Sequence, residues 1–192
     1  MKYVKIIGIV LTCAFLLACL CGFIVMQKRI PPPEKFYYSL GENFTMGPYE
    51  ITVTDTKRYD YLTFIDEYNI SSTFSDDLLS KDNIYTCLVF LTVKNISSET
   101  VTPEIYNINI GTPTQSNGLE LFTYLAMNNN SSTTLNPTLE PGQSISLTLP
   151  YVESGETYGY SEGEFFSKID LELTFSVYPE KHVVKLNQKH EE

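Results

Sequence analysis

Side chains able to carry chemistry are few in this sequence. His182 and His190 are its only histidines, and a zinc site or a general base would need partners gathered around one of them. His190 stands in the terminal NQKHEE, which reads as a frayed tail. Cys87 lies within IYTCLVFLTV, where a buried structural thiol is expected, because a reactive cysteine needs exposure and a positive neighbourhood. Asp76 with Asp77, and Glu162 with Glu164, are paired carboxylates. Acid and base work needs two carboxylates facing each other across a cleft, which closeness in sequence does not supply. No Ser/His/Asp order, paired-cysteine motif or phosphate-binding glycine loop can be read. The residues argue against an enzyme, and they call for no cofactor and no metal.

Two acidic stretches remain. The first, Asp60 to Asp82, holds Asp60, Asp66, Glu67, Asp76, Asp77 and Asp82. The second, Glu153 to Glu164, adds Glu156 and Glu162 and has Tyr151, Tyr158, Tyr160, Phe165 and Phe166 in or beside it. Oxygen ligands gather calcium, but neither stretch has the alternating Asp spacing of a calcium loop, so solvated loops are expected. The aromatic residues of the second stretch are the candidate partner-binding surface, since tyrosine gives contact area at low entropic cost. Asn43, Asn69, Asn95, Asn129 and Asn130 each begin an N-glycosylation pattern and are read as turn residues.

The elements that position these residues begin with a leader. From Ile6 to Met26 the chain runs 21 residues without a charge, about 31 Å as a helix, which matches a bilayer's hydrocarbon core. Lys2 and Lys5 precede it and Lys28 and Arg29 follow it, placed to snorkel toward headgroups. Residues 1–30 therefore read as a membrane anchor with a transmembrane helix at about 6–26. Two other readings share the stretch: a cleaved signal peptide, with weak sites near Ala18 and Cys21, and a lipoprotein signal with Cys19 lipidated after Leu16-Leu17-Ala18. The apolar residues that follow Cys19 favour the uncleaved helix, in which Cys13, Cys19 and Cys21 are small apolar fillers. Flanking charge is balanced, and the domain is placed outside because long domains are translocated largely regardless of charge.

Of the 13 basic residues, four lie in that leader, so the remainder sets nine bases against 23 acids. Such a domain is a poor binder of nucleic acid. Pro31, Pro32 and Pro33 form a stiff spacer over 31–35. The domain spans 36–186, and 187–192 is a disordered tail.

Within the domain, Ile169, Leu171, Leu173, Phe175 and Val177 alternate with polar residues, a period of two that marks a half-buried strand. The pattern recurs at Tyr49, Ile51 and Val53, at Ile145, Leu147 and Leu149, and at Tyr106, Ile108 and Ile110. Residues 84–93 are apolar on both faces, as in a central strand covered on each side. Turns are expected at 95–99, 115–118, 140–143 and 178–181. No helical periodicity is sustained beyond residue 30, and the one short helix expected is at Ser75–Lys81. The fold class is all-β, an antiparallel β-sandwich preceded by one N-terminal transmembrane helix.

Met46-Gly47 leading into a strand, Val93-Lys94-Asn95 closing one before a serine turn, and Leu139-Glu140-Pro141-Gly142-Gln143-Ser144 opening another resemble the telokin-like, immunoglobulin-like extracellular domains of Gram-positive bacterial membrane proteins and lipoproteins. The resemblance covers about residues 40–178 and implies an immunoglobulin-like sandwich at a cell surface, with no catalytic residues; the acidic stretch at 60–83 departs from the pattern. Together these features predict a non-catalytic, single-pass, extracellular binding or accessory module, held by the lipid bilayer and facing an unknown protein or cell-surface partner. The alternative is a structural subunit of a membrane transport or secretion complex.

Overall fold

The computed structural model describes residues 2–70, 84–128, 135–155, 159 and 169–186, in two units, Met1–Glu34 and Lys35–Glu192. The first holds helix α1, Lys2–Arg29. Its stretch Leu11–Arg29 is long and apolar enough to cross a membrane, and none of its residues is buried. Leu11, Phe15, Leu16, Leu17, Leu20 and Phe23 are all exposed, so the apolar surface runs around the helix and not along one stripe. Thr12 is accommodated in it because its hydroxyl donates to the Gly8 carbonyl one turn back, 2.9 Å away. The helix stops just short of Pro31, as expected where a proline crowds the residue before it.

The second unit is a β-sandwich. Its strands are β1 (Glu34–Ser39), β2 (Asn43–Met46), β3 (Tyr49–Asp60), β4 (Ile84–Asn95), β5 (Asn109–Gly111), β6 (Ser116–Asn117), β7 (Ser144–Ser154), β8 (Glu172–Thr174) and β9 (Glu180–Lys185). One sheet has the order β2-β3-β4-β7 and the other β1-β9-β8-β5-β6. The ladders β2–β3, β3–β4, β4–β7, β5–β8 and β8–β9 are antiparallel. Strand β4 is the predicted central strand. Its Cys87, Val89, Leu91 and Val93 enter the main core with Leu149 and Tyr151 of β7 and Ile110, Leu173 and Val184 of the other sheet. Its opposite face carries Leu88, fully buried in a second cluster with Tyr61 and Phe64.

That second cluster is built by a helix absent from the sequence reading, α2 (Tyr61–Glu67). Tyr61, Phe64, Ile65 and Tyr68 do fall at i, i+3, i+4 and i+7, but over only two turns. Asp60 starts the helix, its carboxylate accepting from the Thr63 amide at 2.9 Å. The expected helix at Ser75–Lys81 and the tail at 187–192 lie outside the described residues. The strand read at 106–110 is instead a 3₁₀ turn, Ile105–Asn107, followed by β5. The ten-residue strand read at 169–178 narrows to β8, with Val177 65% exposed.

Strand β7 lies at the edge of its sheet, where unpaired backbone groups invite another strand. Here four of them are occupied, between Thr148 and Val152. After helix α3 (Leu121–Met127), the buried Asn128 amide accepts from Thr148 N–H at 2.9 Å and donates to Thr148 C=O at 2.8 Å. Glu120 N–H reaches the Pro150 carbonyl at 3.0 Å and Asn117 Nδ2 the Val152 carbonyl at 2.5 Å. Pro150 itself is tolerated because an edge position needs no donor from it.

Candidate functional site

The sandwich opens at one end into a cleft of about 540 Å³, a volume within the usual range for ligand sites. Its first wall is the β2–β3 hairpin, where Met46 pairs with Tyr49 across Gly47-Pro48. Gly47 has φ +56°, a conformation that favours glycine in so tight a turn. The second wall is the connection from β4 to β5, residues 102–109. Asn95 fixes the start of that connection from inside: its Nδ2 donates to the carbonyls of Glu99 (2.7 Å) and Leu139 (2.9 Å), and its Oδ1 accepts from Ser97 N–H (2.9 Å). Paired this way and fully buried, Asn95 is a structural residue and no glycan acceptor. The third wall is the turn between β8 and β9, with Ser176, Val177 and Tyr178 facing the cleft.

That turn is anchored by an aromatic stack. His182 of β9 is buried at 4% exposure, with its ring 5.1 Å from Phe36 and 5.9 Å from Tyr38. Its Nδ1 is 3.0 Å from the Tyr38 hydroxyl and its Nε2 is 3.2 Å from the Glu180 carboxylate. The order tyrosine, histidine, carboxylate is that of a relay that activates a nucleophile. The environment works the other way: burial, followed by the Glu42 and Glu180 carboxylates, raises the Tyr38 hydroxyl above its ordinary value, which disfavours the phenolate. The arrangement holds the turn. Ser176 completes it, its hydroxyl donating to Glu180 C=O at 2.6 Å.

The cleft floor is apolar, formed by Ile51, Val93, Ile105, Ile108 and Phe175, all buried. Around the rim stand the hydroxyls and amides of Thr102, Asn107, Asn109 and Ser176. Glu104 is the one charged side chain among the described lining residues; it accepts from Asn107 Nδ2 at 2.5 Å. Burial and then the Glu104 carboxylate raise the Tyr49 hydroxyl, so the ring enters as a neutral wall. Such a surface can bury an apolar group and hydrogen-bond what is attached to it.

The residues singled out from the sequence are placed differently. Tyr151 is a correction: it is fully buried, its hydroxyl donating to the Ile108 carbonyl at 3.1 Å, so it fills the core and offers no contact surface. Tyr158, Tyr160, Phe165 and Phe166 lie outside the described residues, as do Asp76, Asp77, Asp82, Glu162 and Glu164. Asp60 is the α2 cap, and Glu153 is buried on β7 at 3% exposure. Among the described residues no three His, Cys, Asp or Glu side chains are grouped as metal ligands. Cys87 is buried, and burial pushes its thiol up, away from the reactive thiolate. Cys19 is exposed on α1. The cleft residues escaped the sequence reading because three distant turns assemble them, and each turn alone shows only ordinary turn chemistry.

Residues 29–182 match a family model described as a domain of unknown function, DUF5028. No curated protein matches the sequence. The fold is similar to the crystal structure of the yjhA protein from Bacillus subtilis, at 16% identity and TM-score 0.49, covering 78% of this chain and 99% of that one. It is also similar to an uncharacterized beta-sandwich protein from Clostridium difficile 630, at 12% identity and TM-score 0.46, covering 80% and 97%. A conserved hypothetical protein from Bacillus anthracis aligns at 14% identity and TM-score 0.46, covering 71% and 87%.

Proposed function

The chain belongs to the DUF5028 family of domains of unknown function, and from that premise we propose that it is a membrane-anchored, immunoglobulin-like module that works outside a bacterial cell by binding, without catalysis. The observation that carries this reading is the pairing of an all-round apolar helix, exposed along Leu11–Arg29, with a sandwich that keeps an apolar cleft open. A helix of that length and composition is stable in lipid and costly in water. The basic Lys28 and Arg29 in its last turn suit a headgroup boundary. The turn expected after Leu139 is formed, with Gly142 at φ +77° and Gln143 N–H returning to Glu140 C=O at 2.9 Å, and the two-sheet sandwich is compatible with an immunoglobulin-like surface domain. The relay-like trio of Tyr38, His182 and Glu180 is structural on this reading, which leaves binding as the work.

Proteinase K added to intact bacterial cells expressing the full chain tests the reading. The domain is expected to be lost from the cells while a cytoplasmic marker survives. A domain that stays uncut until lysis overturns the extracellular placement. Crosslinking of α1 to a membrane protein in one-to-one amount would instead favour a structural subunit of a membrane complex.

A further inference from the structure

We infer that the cleft between the 102–109 connection and the β8–β9 turn takes a short peptide segment that places an apolar side chain beside a lysine or arginine. The inference rests on the binding role proposed above and names the ligand class. Three observations carry it. Above a floor of already buried Ile51, Val93, Ile105, Ile108 and Phe175, the apolar surface open to a ligand is that of half-buried Met46 and Tyr49 and of exposed Tyr178 and Val177, the last 65% accessible. With Asn107 Nδ2 turned to Glu104, Asn109 Nδ2 to the Asn107 carbonyl and the Ser176 hydroxyl to Glu180, the rim still presents the Thr102 hydroxyl and the amide oxygens of Asn107 and Asn109, acceptors suited to the N–H groups of a peptide, which a plain hydrocarbon tail would leave unused. The charge is one-signed: Glu104 stands on the rim with no Lys, Arg or His among the described lining residues, on a domain with 23 acids against nine bases beyond residue 30. Anionic ligands are repelled and a cationic neighbour to the buried group is drawn in. A volume of about 540 Å³ limits the occupant to a few residues, since water alone fills liquid at about 30 Å³ per molecule.

The absence of tryptophan from the chain provides the assay. Full-length protein in phosphatidylcholine nanodiscs is titrated against acetyl-Leu-Lys-Leu-Trp-amide and acetyl-Leu-Glu-Leu-Trp-amide, reading the peptide's own tryptophan emission and anisotropy, with empty nanodiscs subtracted. The lysine peptide is expected to bind about fivefold tighter than the glutamate peptide. Glu104→Gln, at an exposed position, should erase that preference, and Val177→Ser should weaken both peptides about threefold. Binding by neither peptide, equal binding unchanged by Glu104→Gln, or binding indifferent to Val177→Ser each overturns the inference. Protease shaving reads location and not the cleft, so the two proposals fail separately.

Discussion

Replacing Asn128 with alanine removes three hydrogen bonds at once. The side chain donates to Tyr124 C=O (2.8 Å) and to Thr148 C=O (2.8 Å) and accepts from Thr148 N–H (2.9 Å), at a site 7% exposed. At about 1 kcal/mol each, with water partly replacing them at a sheet edge, the loss is about 2–3 kcal/mol. For a domain of this size that lowers the unfolding midpoint by about 5–10 °C. Circular dichroism melts of the full-length protein in neutral detergent read it. Asn128→Asp sharpens the test, because a carboxylate keeps the acceptor for Thr148 N–H but sets its second oxygen against two carbonyls. The charged form is then disfavoured in the fold, so the aspartate's folded pKa lies above the unfolded value of about 3.9. With a raised folded pKa, its stability is present at low pH and lost as pH rises. At pH 7 the aspartate variant should be less stable than the alanine variant, and the gap should close toward pH 4. An alanine variant within 0.5 kcal/mol of wild type on the order of measurement error, or an aspartate variant with no such pH dependence, would refute the clamp.

Other outcomes follow from the same geometry. Asp60→Ala should cost about 1 kcal/mol through loss of the α2 cap. The hydrogen bond with Thr63 lowers the Asp60 pKa, so this contribution is complete above the unfolded value of about 3.9 and disappears as pH falls below it toward the folded one; melts of both proteins across pH 3–7 check the sign. Tyr151→Phe strands the buried Ile108 carbonyl and should cost about 1–3 kcal/mol in chemical denaturation, whereas a surface contact would leave stability unmoved. Gly111→Ala would bring a Cβ within 2.0 Å of the Gln115 carbonyl oxygen and 2.7 Å of Ser116 Cα, both backbone, so a loss of about 1–3 kcal/mol is expected in the same assay.

What the sequence made legible was the periodicity that burial on one face imposes. Ile51 and Val53, Leu147 and Leu149, and Leu171 and Leu173 alternate because every second residue enters one core. Strand β4 broke the alternation at Leu88, and the covering it implied is supplied by Phe64 of α2. The helix itself was hard to read because two turns give too few repeats, and Asp60 reads as an acidic loop residue until Thr63 is seen to bond it. Tyr151 misled for a similar reason. Its ring belonged to the aromatic neighbourhood by sequence, while the strand parity of Leu147 and Leu149 already placed it inward. The cleft and the β7 clamp depend on contacts such as Asn128 with Thr148 and Tyr38 with His182, 144 positions apart, which no local pattern encodes.

The central claim, an anchored domain outside the cell, is tested most directly by thiol labelling. Wild-type thiols should be shielded from a membrane-impermeant maleimide, with Cys13, Cys19 and Cys21 on α1 and Cys87 in the core. Val177→Cys adds a thiol at a position 65% exposed. Intact cells should label the variant and leave the wild type unlabelled. Labelling of the variant only after lysis, or equal labelling of wild type and variant, would contradict the account.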